Sequence, residues 1–161
     1  MIRLAAFLGF SLFCAACASS SSDTARAASA AAAQAVQEVP TEGLPAQRLN
    51  AGECGLFLWS MTAPRKFVFF TKASASEAQV WHEGKALPLQ MVDSHGDIFG
   101  QFMTGHDYIT RDGALEVGLN FTPGERLEQG QRISSGRLVI RAGDGWETVQ
   151  PVSGVSACMP G

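Results

Sequence analysis

Leu115-Glu116-Val117-Gly118-Leu119-Asn120-Phe121 is the stretch from which the fold can be read: four large apolar residues alternate with Glu, Gly and Asn. A period of two places one set on a buried face and the other in water, as in a half-buried β-strand. Working outward, Glu77 to His82 and Gly136 to Arg141 alternate more loosely, and Leu87 to Val92 also reads as a strand. Cys54 to Met61 and Phe67 to Phe70 are apolar on both faces, which asks for cover on both sides. Turn signals punctuate these runs at Glu83-Gly84, His95-Gly96, Asp112-Gly113, Pro123-Gly124, Gln129-Gly130, Ser135-Gly136 and Asp144-Gly145. A helical period is absent apart from a single turn at Ala73 to Glu77, where Ser74 can cap. The pattern predicts an all-β domain over Arg48 to Gly161, a small antiparallel barrel or sandwich of seven to eight short strands. Closure of the sheet would hide its edges.

Two cysteines bracket this domain, Cys54 and Cys158. In an oxidising compartment they are expected to pair as a disulfide. Neither sits in a CxxC or HxxxH pattern, so no metal site is expected of them. Upstream the composition changes abruptly. From Ala18 to Ala35, fourteen of eighteen residues are Ala or Ser, and Pro40, Gly43 and Pro45 follow. So little apolar bulk cannot offset the entropy of an ordered backbone, and residues 17–47 are expected to be a tether.

The chain opens with Met1-Ile2-Arg3, the apolar run Leu4 to Phe13, and Cys14-Ala15-Ala16-Cys17. One positive charge, a short hydrophobic core and small residues before a cysteine read as an export signal. The apolar run is too short for the roughly 20 residues that span a bilayer. A plain secretory signal cut near Ala18 is the alternative reading. A transmembrane barrel is disfavoured, because most candidate strands are shorter than the nine to eleven residues, about, that such strands need.

Charge excludes some partners. The chain carries a net charge of −3, and the domain has ten Lys/Arg against twelve Asp/Glu, so nucleic acid is not an expected ligand. Arg65-Lys66 open one aromatic strand, Arg132 lies further on, and Arg137 and Arg141 share a strand face that reads as solvated. Trp59, Trp81 and Trp146 can anchor a glycan or a protein, although core packing is the simpler fate for large aromatics. His82, His95 and His106, each next to an acidic residue or one position away, read as solvated turn histidines; their spacings match no ligand signature. Ser94-His95-Gly96-Asp97 holds the residue types of a hydrolytic triad, but neighbours in a tight turn cannot form its chain of hydrogen bonds. No GxSxG, Walker, dinucleotide or HExxH motif is present. The expectation is a protein with no catalytic residues, no metal and no cofactor; a hydrolase with scattered catalytic residues is the alternative.

Two resemblances sharpen this. The N-terminus resembles a bacterial lipoprotein signal peptide over residues 1–16, which implies acylation of Cys17 and a membrane anchor. Ala18-Ser19 lacks the inner-membrane retention Asp of Gram-negative lipoproteins. The resemblance therefore implies an outer-membrane lipoprotein with a periplasm-facing domain; an envelope protein or glycan is the expected partner. The anchored small barrel with a Ser-Gly loop after a strand also looks like the membrane-bound inhibitors of C-type lysozyme, whose loop of Ser, Gly and Tyr enters the lysozyme cleft. The corresponding binding loop here is Ser94, His95, Gly96, Asp97, Ile98 and Phe99, with His95 interposed and Phe99 at the Tyr position. That resemblance covers about half of the domain.

Overall fold

The alternation at Leu115–Phe121 becomes the two sides of one barrel wall. Val117, Leu119 and Phe121 are buried at 1%, 0% and 6% exposure, Leu115 packs partly buried against them, and Glu116 and Asn120 face outward. The computed structural model describes residues 42–161. The expected signal peptide, Cys17 and the tether up to residue 41 lie outside the described residues. The strands are β1 (Cys54–Ser60), β2 (Phe67–Lys72), β3 (Glu77–His82), β4 (Lys85–Phe99), β5 (Phe102–Thr110), β6 (Leu115–Leu127), β7 (Gly130–Ala142) and β8 (Glu147–Cys158). Each pairs antiparallel with the next, and β8 returns to β1, so the sheet is a closed barrel in chain order. Of the two architectures open to the sequence, the barrel is the one formed.

Closure is where the disulfide acts. Cys54 and Cys158 are directly opposed in the β1–β8 register, with Cα atoms 4.0 Å apart, and are bonded across a sequence separation of 104. The first and last strands are therefore stapled at the seam. The seam is also close-packed: at Gly154 a Cβ would overlap the carbonyl oxygen of Phe57, so only glycine lets β8 lie against β1 there.

Inside, Leu56, Leu58, Phe69, Val80, Leu138 and Val152 are at most 1% exposed and form one apolar core with the inner residues of β4 to β6. Outside, Glu116, Arg137, Arg141 and Glu147 alternate with the core residues. The outer face of β6 to β8 thus carries charged residues where a bilayer-spanning barrel carries a lipid-facing apolar band. Among the described residues no helix is long and apolar enough to cross a membrane.

The two-sided apolar strands β1 and β2 are covered on both faces, as their composition demands. Phe57 and Phe70 meet on the outer wall at 4.9 Å between ring centroids, and Trp59 stacks on Phe67 at 5.2 Å. A strap from Glu42 to Asn50 contributes the outer cover. Leu44 is 4% exposed and its N–H donates to the Phe67 carbonyl at 2.7 Å, Glu42 pairs with Lys66, and the Leu49 side chain reaches the space beside Gly55. Residues 42–47, assigned to the tether on composition, thus belong to the packed domain. One buried leucine among Pro, Gly and Gln, tied to β2 through the Phe67 carbonyl, marks the segment as packed.

Several turn signals prove to be irregularities inside long strands. Glu83-Gly84, Asp112-Gly113 and Asp144-Gly145 lie in turns, and Gly130 follows one, but His95-Gly96, Pro123-Gly124 and Ser135-Gly136 fall within β4, β6 and β7. Each coincides with a register shift: between His95 and Ile98, between Thr122 and Arg126, and between Ile133 and Gly136. Glycine inside a strand marks a bulge as readily as a turn, and bulges bend a sheet toward closure.

Candidate functional site

The segment expected to be a binding loop, Ser94 to Phe99, is the second half of strand β4. Ser94 pairs with His106 and His95 with Gly105, while Phe99 is buried at 3% exposure against Phe121 in the barrel end. It is not a loop because β5 supplies hydrogen-bond partners to residues on either side of its bulge. Its other side is open: β3 pairs with β4 only as far as Gln90, and residues 92–98 are all exposed. Ser94, Ile98 and Met103 border a depression of about 310 Å³ that reaches His106.

None of the three histidines lies in a turn. His82 ends β3, with its side chain 19% exposed. His106 lies on β5 inside the barrel at 3% exposure, and neither ring nitrogen has a hydrogen-bond partner. Phe102, Tyr108 and Phe121 surround it at centroid distances of 6.5, 6.0 and 6.5 Å. Burial pushes its pKa below the ordinary value, a neighbouring backbone group of Met103 opposes the shift, and the His95 side chain adds to it. Tyr108 is likewise buried with its hydroxyl unpartnered, and burial drives its pKa upward.

His95 faces outward and gathers a small cluster. Its Nδ1 lies 3.8 Å from Asp93 Oδ2 and 3.6 Å from Asp107 Oδ2, and its Nε2 is 3.3 Å from Asn120 Oδ1. The ring lies over Gly105, where any side chain would collide with it. The pleat puts residues 93 and 95 on one face, and strand pairing brings Asp107 and Asn120 beside them. With the Nε2 proton directed at Asn120, the Nδ1 lone pair faces both carboxylates, a donor set of the nitrogen-and-oxygen kind that divalent cations accept. Protonated, the same imidazole makes two ion pairs. Sequence spacing alone missed this convergence, since it depends on which strands are neighbours. The triad-like run does not assemble in this cluster: the carboxylates beside His95 belong to Asp93 and Asp107 rather than Asp97.

A second arrangement lies on the opposite wall, over β1, β8 and β7. Trp59 is half-buried on the outer surface rather than in the core, and Trp146 is 77% exposed at the β7–β8 turn. Beside Trp59 runs a groove of about 550 Å³, lined by Arg65, Arg132, Ser134, Ser153 and Val155. Registers explain the gathering: Trp59 pairs with Ser153 across the seam, and Val155 pairs with Arg132 on the far side of β8. Arg65 reaches in from the β1–β2 connection and donates to Ser153 Oγ at 3.2 Å. Arg137 and Arg141, on the exposed face of β7 that was expected to be solvated, share Glu147 at 3.7 and 3.0 Å. Among the described residues Arg65 and Arg132 make no salt bridge. Both arginine side chains therefore border the groove with no carboxylate within salt-bridge distance among the described residues.

No protein-family model, curated protein or solved structure matches the chain.

Proposed function

We propose that the chain is a non-enzymatic lipoprotein of the bacterial cell envelope, anchored through Cys17, whose barrel is a binding head and whose groove beside Trp59 holds an envelope component. The barrel itself is a small closed domain suited to a binding or structural role. The observation that carries the binding role is the pairing, in one groove, of a half-buried indole with two arginines that make no salt bridge among the described residues. An aromatic surface with a polar rim is where binding energy concentrates. The export signal and the Ala/Ser-rich stretch support the envelope location by resemblance and composition.

The test uses the full-length chain in detergent, mixed with outer-membrane and cell-wall fractions of a Gram-negative bacterium and sedimented. Co-sedimentation should fall on Trp59→Ala and persist on Trp146→Ala. Equal sedimentation of wild type and Trp59→Ala would remove the groove from the account. The narrower reading, inhibition of a C-type lysozyme through Ser94 to Phe99, has one observation in its favour: the exposed run 92–98 extends past the end of β3. Unchanged lysozyme activity in the presence of excess full-length chain would dispose of it.

A further inference from the structure

We infer that the groove beside Trp59 is a site for an acidic saccharide, a sugar bearing a carboxylate or phosphate. The inference rests on the binding-head reading and names its ligand class.

Three features of the groove converge on that chemistry. Trp59 rests one side against Phe67, with ring centroids 5.2 Å apart and planes inclined by 30°, and its remaining surface lines the groove. A platform held in this way offers a fixed apolar face to the C–H face of a sugar ring without losing side-chain freedom on binding. Ser153 stands beside it and Ser134 lines the β7 side of the groove, and hydroxyls both donate and accept, as a ring of alternating hydroxyls requires. The charge is supplied by Arg65 and Arg132. Arg65 is held over the floor by its hydrogen bond to Ser153 Oγ at 3.2 Å, and Arg132 lines the β7 side of the groove. Trp59 and Arg132 are two strands apart and offset by two residues along β8, so their backbones lie roughly 12 Å apart at about 4.8 Å per strand and about 3.4 Å per residue, a span that admits a sugar ring between the two side chains.

The arginines decide between a neutral and an acidic sugar. Glu147 holds Arg137 and Arg141 further along β7, whereas no carboxylate lies within salt-bridge distance of Arg132 or Arg65 among the described residues. A guanidinium in a concave site gains most from a planar or tetrahedral oxyanion, which it meets with two parallel hydrogen bonds. Carboxylate and phosphate share this chemistry. Nucleic acid also combines anions with stacking rings, but the domain has more acidic than basic residues, and the described lining of the groove holds two cationic side chains. A polyanion needs a longer basic track.

The experiment titrates the full-length chain in detergent with trigalacturonate, mannose 6-phosphate, neutral trigalactose and oligothymidylate, with binding read by calorimetry. At least one acidic sugar should bind about tenfold or more tightly than trigalactose, and Arg65→Gln or Arg132→Gln should each weaken it by about the same factor, the value of one charge-assisted hydrogen bond. Trp59→Ala should weaken acidic and neutral sugars alike, and Trp59→Phe should retain part of the affinity with the fold intact. Preference for carboxylate or for phosphate identifies the source, and either supports the site. Equal affinity for trigalactose and the acidic sugars would overturn the charge assignment, and tighter binding of oligothymidylate would overturn the ligand class. If no saccharide binds while envelope co-sedimentation still depends on Trp59, this inference fails and the groove stands. Loss of that dependence removes both.

Discussion

His106 is an ionisable ring enclosed by aromatic side chains, with both nitrogens buried and unpartnered. Desolvation favours its neutral form, so its pKa in the folded barrel lies below the value near 6.5 that it takes in the unfolded chain. In that window the unfolded state binds more protons, and stability therefore rises with pH. The folded state should lose stability as pH falls from about 6.5 toward the depressed native pKa, beyond which the loss levels off. The carboxylates held down in the fold, Glu42 by Lys66, Glu53 by the Asn50 N–H and Lys72, and Asp112 by the Thr110 hydroxyl, withdraw stability only as pH falls through and below their ordinary range. Urea unfolding between pH 8 and pH 5, at about one-unit steps, separates the two: His106→Leu should flatten the upper part of the wild-type profile, and an unchanged slope would contradict the burial argument. Val117, at 1% exposure, gives the complementary case. Val117→Asp places an unpaired carboxylate against the apolar core, at a cost of about 3 kcal/mol or more, measurable as a shift in the urea midpoint.

At the scale of elements, the strand β3 was legible to the residue, and β1 and β2 nearly so. Their side chains answer to local rules, alternation or continuous apolarity, and to a core that accepts both. The long strands were less legible. β4, β6 and β7 continue through His95-Gly96, Pro123-Gly124 and Ser135-Gly136 because neighbouring strands absorb the extra residue in a bulge, and nothing local distinguishes that from a turn. The candidate sites were legible only as parts. Trp59, Arg65 and Arg132 each stood out by residue type, but their meeting needs the β1–β8 seam, a pairing of chain ends that no sequence window contains. Asp93, His95 and Asp107 converge instead through the β4–β5 pairing, whose register depends on the irregularities in β4. The seam itself makes a prediction. With the Cys54–Cys158 bond closing a separation of 104 residues, the chain-entropy account assigns it about 4–5 kcal/mol. Cys54→Ala/Cys158→Ala should unfold at lower urea by about that amount and keep the strand signature in circular dichroism. A loss below about 1 kcal/mol would mean that the seam's hydrogen bonds hold the barrel closed without the staple.

At the scale of the whole molecule, an apolar barrel core and a stapled seam follow an Ala/Ser-rich stretch, with the proposed anchor ahead of it. If Cys17 is the acylated residue, metabolic labelling with a fatty-acid probe should mark the wild-type protein and not Cys17→Ala. Label that persists in the variant would move the anchor elsewhere. The functional claim turns on one wall of the barrel, and a photo-crosslinking amino acid tests it inside the cell. Ser134 is exposed and lines the groove, whereas Gln90 is exposed on β4, on the opposite side of the ring of strands from β8. On irradiation of intact cells making the full-length chain, the probe at position 134 should yield an adduct with an envelope component, lost on Trp59→Ala, and the probe at position 90 should yield none. No adduct at 134, or equal adducts at 134 and 90, would contradict the account.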